Sequence, residues 1–162
     1  MGDRASKGRT AVERRSEREL VVTRIFDAPV RLVFDAWTKP DLFKLWWAPK
    51  SMGVPLLSCE MDVRTGGGYR ITFGHDAADS MAFFGKYLEV SPPSRLVWTN
   101  DEGGGAVTTV TFEEKDGGTL LVLQEVYPSM EALDESFVGM EDAMPEQFEQ
   151  LDELLLTLGA RA

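Results

Sequence analysis

Met140-Glu141-Asp142-Ala143-Met144-Pro145-Glu146-Gln147-Phe148-Glu149-Gln150-Leu151-Asp152-Glu153-Leu154-Leu155-Leu156-Thr157-Leu158 is the stretch on which the fold turns. Met140, Met144, Phe148, Leu151, Leu155 and Leu158 recur at steps of four or three, and acidic side chains fill the remaining surface. That spacing predicts an amphipathic helix of about five turns. Pro145 removes one backbone donor and costs about 3 kcal/mol inside a helix. The reading therefore allows a kink there, or a regular helix that starts near Asp142. Burying the stripe is worth on the order of 10 kcal/mol before entropy, so it needs an apolar partner surface.

The partner lies upstream. From Val54 to Tyr127 the apolar period changes to two, with turn chemistry at Thr65–Gly68, His75–Asp79, Pro92–Ser94, Asp101–Gly105 and Asp116–Gly118. Five or six strands joined by short turns predict an antiparallel meander. Tyr69, Ile71 and Phe73 share one face of their strand, and Arg70 and Thr72 the other, so one face is covered and one meets water. Earlier still, Glu19–Phe26 is β-branched and reads as a strand. Asp27, Ala28 and Pro29 mark a helix start, and Val30, Val33, Phe34 and Trp37 give its apolar face. Thr38 and Asp41 have the spacing of a capping box for a second short helix carrying Leu42, Phe43, Leu45, Trp46 and Trp47, which Pro49 ends. The order predicts an α+β fold: a curved antiparallel sheet around a long C-terminal helix, with two short helices after the first strand and a cavity between sheet and helix.

Composition narrows the function. A chain of 162 residues suits one domain, here residues 19–162, preceded by a charged tail at 1–18 that is expected to be disordered. The tail has no secretory pattern, and no apolar run is long enough to span a bilayer. A net charge of −10 opposes nucleic-acid binding. One cysteine, Cys59, and one histidine, His75, exclude a disulfide within the chain and a cysteine-based zinc site. They also leave too small an inventory for hydrolytic triads and most transition-metal sites. Cofactors and metals are not expected, and the cytoplasm is the expected compartment. Gly66-Gly67-Gly68 is followed by Tyr69 and Arg70 rather than by Lys and Ser or Thr, so it reads as a tight turn and not a phosphate loop.

Several segments together carry a resemblance to a known family. They are Ala28-Pro29; Trp37-Thr38 with Pro40; Trp46-Trp47; Glu60, Asp62, Arg64, Gly66 and Gly67; Gly85, Tyr87, Glu89 and Val90; Pro92-Pro93 with Arg95-Leu96-Val97-Trp98-Thr99; and Gly139-Met140 through Phe148, Leu151 and Leu154-Leu155. In this order the chain resembles the START-related (SRPBCC) superfamily, in the branch named after the activator of heat shock protein 90 ATPase. The resemblance runs from Glu19 to Leu158. It implies the helix-grip fold of the START and Bet v type, with a hydrophobic cavity. Relatives bind lipids, sterols, flavonoids, polyketides or plant hormones, and one group, the aromatase/cyclases, closes rings within the cavity.

The residues expected to line such a cavity and bind a small hydrophobic or aromatic ligand are Trp46, Phe73, Phe84, Tyr87, Trp98, Phe112, Met140, Met144 and Phe148. Trp37, Trp47, Phe83, Met61 and Met81 belong to the same apolar inventory. An enzyme of the cyclase or hydrolase kind would need convergent polar groups, for instance Glu60 or Glu125 with His75 or Tyr87. The commoner reading puts both carboxylates on the solvent face, His75 in a wet loop, and Cys59 in a strand as a small hydrophobe. Arg64 and Asp62 read as an ion pair or turn contact. A chaperone-regulating module is the remaining alternative, and an exposed sheet edge permits a homodimer. No catalytic residue is assigned.

Overall fold

The computed structural model describes residues 10–48, 50, 53, 55–76, 78–101 and 105–161; at 79, 136, 138–142 and 159–161 it describes the backbone alone. Eight strands make one antiparallel sheet: β1 (Ala11–Arg14), β2 (Glu19–Phe26), β3 (Leu56–Met61), β4 (Gly68–Asp76), β5 (Asp79–Ser91), β6 (Arg95–Asn100), β7 (Ala106–Lys115) and β8 (Gly118–Val126). Their order is β1-β2-β8-β7-β6-β5-β4-β3. Between β2 and β3 come α1 (Val30–Thr38) and α2 (Pro40–Phe43), and α3 (Met130–Arg161) closes the chain.

The meander follows the turns read from the sequence, and β5 is where it bends. Its first half pairs with β4 through Lys86; from Tyr87 onward it pairs with β6, with a register shift between Tyr87 and Glu89. Gly85 makes the change of partner possible. A Cβ there would stand 2.0 Å from the Thr99 carbonyl oxygen, so only a residue without a side chain lets β6 approach this closely. Tyr69 lies opposite Gly85 in register, and its hydroxyl donates to that same carbonyl at 2.7 Å.

Register decides which side chains share a face. Arg14, Leu20, Glu125, Thr108, Trp98 and Tyr87 form one row across six strands. Val12, Val22, Leu123, Val110 and Leu96 form the next. Leu20, Val22, Val110, Leu96, Leu121 and Leu123 are buried, which marks this as the hollow face. The helices lie on it, α3 against β1 and β2, and α1 against β7 and β8. The predicted stripe faces inward at Met144, Phe148, Leu151 and Leu155, with Leu158 half-buried. Phe148 meets Phe26 of β2 edge-on at 5.6 Å.

Four local expectations are corrected. First, α3 is far longer than five turns and continues through Pro145. Ser129 starts it, accepting the Ala132 amide at 3.1 Å, and burial of Leu133 and Met144 before the proline and of Phe148 and Leu151 after it offsets the lost hydrogen bond. Second, Asp27 does not cap α1, whose N-cap is Pro29 with no side-chain hydrogen bond. Third, the Thr38 capping box does not form. The Thr38 hydroxyl turns back to the Phe34 carbonyl at 2.9 Å, and Asp41 faces Lys44 at 3.7 Å. Fourth, Ala11–Arg14 pairs with β2 as an edge strand within the stretch read as tail. Arg14 reaches from it to Asp134 of α3 at 2.6 Å and over the Phe137 ring at 5.4 Å. Residues 1–9 lie outside the described residues.

A candidate ligand site on the hollow face

The apolar helical face of α1 delivers Trp37 into the hollow, where it becomes the hub of an aromatic cluster. Its ring centroid lies 4.9 Å from Trp46, 6.0 Å from Trp47, 5.9 Å from Trp98, 6.1 Å from Phe112 and 6.2 Å from Phe148. The structure thus brings together Trp46, Trp98, Phe112 and Phe148 of the predicted residues. From Trp98 the wall continues outward to Tyr87 at 6.4 Å, and from Tyr87 to Tyr69 at 5.7 Å. Phe73 packs edge-on against Phe83 at 5.4 Å farther along the same face.

These positions differ in what they can offer. Trp46 is fully buried and donates its indole N–H to the Ala36 carbonyl at 3.0 Å, so it fixes α1 against the turn after α2. Phe112, Phe148 and Met144 are likewise core. Trp98 and Trp47 are half-buried. At the outer end of the hollow face, Phe83 and Met81 are 36% and 63% exposed, although register aligns them with Ile71 and Phe73. Phe84 is misassigned as a cavity residue: it pairs with Arg70 on the opposite face, and the Arg70 guanidinium sits over its ring at 5.8 Å. The side chain of Met140 lies outside the described residues.

A polar strip borders the aromatic wall. Asn100 Nδ2 donates to Thr108 Oγ1 at 2.9 Å, the Thr108 hydroxyl donates to Glu125 Oε2 at 2.9 Å, and the Tyr127 hydroxyl donates to Glu125 Oε1. Glu125 therefore lies on the hollow face, against the solvent-face reading. Glu60 pairs with Arg70 on the outer face and is exposed. His75 is exposed at the end of β4. Glu125 and Tyr87 are three strands apart in their row, roughly 14 Å, so the convergent acid–base pair an enzyme would need is not assembled from these residues. Asp62 and Arg64 form the expected ion pair at 2.9 Å.

Gln147 and Gln150 were not foreseen. Both are buried on α3. Gln150 donates to the Trp46 and Ala48 carbonyls at 3.0 and 2.9 Å and accepts the Lys50 amide at 2.9 Å, and Gln147 donates to the Trp47 carbonyl. They supply partners to irregular backbone after α2 that would otherwise be buried unsatisfied. A glutamine every three residues on a helix is too common a pattern to signal this.

Burial pushes the Cys59 thiol up from 9.0 to about 11, with Lys44 opposing and Asp41 adding to the shift. Burial also raises the Tyr87 hydroxyl, helped by nearby Cys59. The native state thus favours the neutral thiol. That contribution to stability is complete below the unfolded value near 9 and is lost as pH rises through about 11. At pH 8 the native protein therefore holds less thiolate than the unfolded chain. Iodoacetamide should therefore alkylate Cys59 far more slowly in the native protein than in urea; equal rates would contradict the burial.

Residues 27–156 match the family described as Activator of Hsp90 ATPase homolog 1-like protein. The chain belongs to this family. No curated protein matches it. The fold of the Activator of Hsp90 ATPase homolog 1-like family, the helix-grip, is shared with solved structures. A protein from Rhodobacter sphaeroides superposes with a TM-score of 0.85 at 24% identity, covering 93% of this chain and 99% of that one. One from Nitrosomonas europaea gives 0.79 at 24%, covering 90% and 98%. An AHSA1-like protein from Aeromonas hydrophila gives 0.72 at 19%, covering 87% and 94%. At these identities the likeness speaks for the fold. Among the described residues no helix is long and apolar enough to cross a membrane.

Proposed function

We propose that this family member reversibly binds a small, mainly apolar molecule in the hollow between the sheet and α3, without catalysing a reaction on it. One observation carries the reading: the aromatic wall of Trp98, Tyr87 and Phe73 runs outward into Phe83 and Met81, which stay exposed on the face that is otherwise core. Large apolar side chains on an inner face lose free energy while wet, at about 25 cal/mol per Å². A flat apolar guest entering there would cover them and stack on rings already held in place.

The test is titration with N-phenyl-1-naphthylamine, a neutral fluorescent aromatic. Saturable 1:1 binding is expected, with a rise in melting temperature; at a hundred times Kd the stabilisation is about 2.7 kcal/mol. Met81→Asp, at the most exposed position of the rim, should weaken binding about tenfold with little change in unaided stability. Unsaturable binding without thermal stabilisation would remove the reading.

A further inference from the structure

The sheet ends at β3, which has β4 on one side and, among the described residues, no strand on the other. The Asp62 amide donates to the Gly68 carbonyl at 2.9 Å, in the register that pairs Met61 with Tyr69, Glu60 with Arg70 and Cys59 with Ile71. Antiparallel pairs alternate between bonded and non-bonded. Glu60 therefore bonds to β4 through its backbone, while Cys59 and Met61 turn their N–H and C=O groups to the open edge. Among the described residues no loop, turn or side chain bonds to those four groups.

Sheet edges are commonly guarded by charges, prolines or bulges. At the opposite edge β1 is four residues long and carries Glu13 and Arg14, the latter held by Asp134. In β3 the register shift lies earlier, between Leu56 and Ser58, and the one charged residue is Glu60. Glu60 is exposed on the outer face. It stands opposite Arg70, yet the Arg70 guanidinium lies over the Phe84 ring. Among the described residues no ion pair or hydrogen bond engages the Glu60 carboxylate. A cleft of about 420 Å³ opens beside it along Glu60–Asp62 and Gly68–Arg70. On the other face of the strand Cys59 and Met61 are half-buried. The edge thus presents apolar, acidic and apolar positions in turn, with backbone groups at the two apolar ones aimed outward.

We propose that the β3 edge takes up an extended segment of a partner protein as an added antiparallel strand. That segment places apolar side chains opposite Cys59 and Met61 and a lysine or arginine opposite Glu60. Main-chain hydrogen bonds to Cys59 and Met61 attach it. Residues directly opposite share a face, so the alternation of β3 is copied into the sequence it recognises. Charge favours a basic segment over a second copy of this chain. Each copy carries a net charge of −10, and its own β3 offers Glu60 and no cation. The proposal does not rest on the ligand reading above.

The test is an NMR titration of the full chain with acetyl-Val-Lys-Val-Lys-Val-amide and with its counterpart carrying Glu in place of Lys. The lysine peptide should bind about fivefold tighter, and Glu60→Lys should reverse the order. Two N-methylated forms of the lysine peptide separate strand pairing from charge attraction. Methyl groups on the valine amides remove the donors aimed at β3 and should weaken binding about tenfold. Methyl groups on the lysine amides point away from β3 and should be tolerated. Binding should also slow hydrogen exchange at the Cys59 and Met61 amides. The methylated pair decides the matter should Glu60→Lys fail to fold. No saturable binding of the lysine peptide, or equal weakening by the two methylation patterns, overturns the proposal. Exchange at these amides that slows with rising protein concentration in the absence of peptide also overturns it, since a second copy then holds the edge.

Discussion

Phe148→Ala is expected to lower stability by about 3–5 kcal/mol, close to half of what a domain of ordinary stability possesses. Phe148 is fully buried on α3, edge-on to Phe26 of β2 and next to Trp37 and Trp46. Truncation removes the ring's transfer free energy and leaves a void that neighbours already fixed in T-shaped contacts cannot close. The denaturation midpoint in urea should fall with the slope unchanged, and the melting temperature by roughly 6–20 °C. Leu156→Ala is the control, because Leu156 points away from the hollow at 62% exposure; it should cost less than about 0.5 kcal/mol. Similar losses for the two variants would mean that α3 does not seat its stripe in the hollow, and the proposed site would lose its back wall.

What could be read in advance follows the strength of each periodic signal. The stripe of Met144, Phe148, Leu151 and Leu155 declares a helix because four positions agree on one face. The helix start at Met130 is hidden because Pro145 argues for a break and the compensating burial of Leu133 is tertiary. Faces fail where strands are apolar on both sides. Phe83 and Phe84 are adjacent, so alternation guarantees that one faces out without saying which; pairing of Phe84 with Arg70 decides it. Glu125 sits in a strand with no clean alternation, and register with Thr108 and Leu20 puts it in the hollow. Ala11–Arg14 has no strand signature, since an edge strand borrows its order from the neighbour it pairs with. The hub role of Trp37 is assembled from Trp98, Phe112 and Phe148, far apart in sequence, and an indole N–H left without an acceptor among the described residues has no sequence signature at all.

Asp152→Ala is expected to destabilise the protein by about 2–3 kcal/mol, and adding Arg24→Met is expected to restore most of the loss. Arg24 projects from β2 into the hollow and is 2% exposed. Its guanidinium lies 3.5 Å from the Asp152 carboxylate of α3, donates to the Thr10 hydroxyl at 2.8 Å and packs over Phe26 at 5.3 Å, while its Nε has no partner among the described residues. Burial lowers its pKa from the usual value, with Asp152 and then Glu149 opposing that effect, yet a guanidinium does not discharge at neutral pH. Removing Asp152 therefore strands a buried cation. The full cost of breaking a buried pair is about 3–5 kcal/mol; it is discounted here because Asp152 is itself partly solvated and Glu149 remains nearby. Methionine in place of Arg24 removes the stranded charge and keeps an unbranched apolar chain against Phe26. A double-mutant cycle in urea should give a coupling of roughly 2 kcal/mol. Additive losses would mean that α3 is held to the sheet by packing alone. A coupling of the expected size makes this ion pair a second tie between α3 and β2, beside Phe148 on Phe26, and so one of the contacts that set the width of the hollow in which a ligand is proposed to sit.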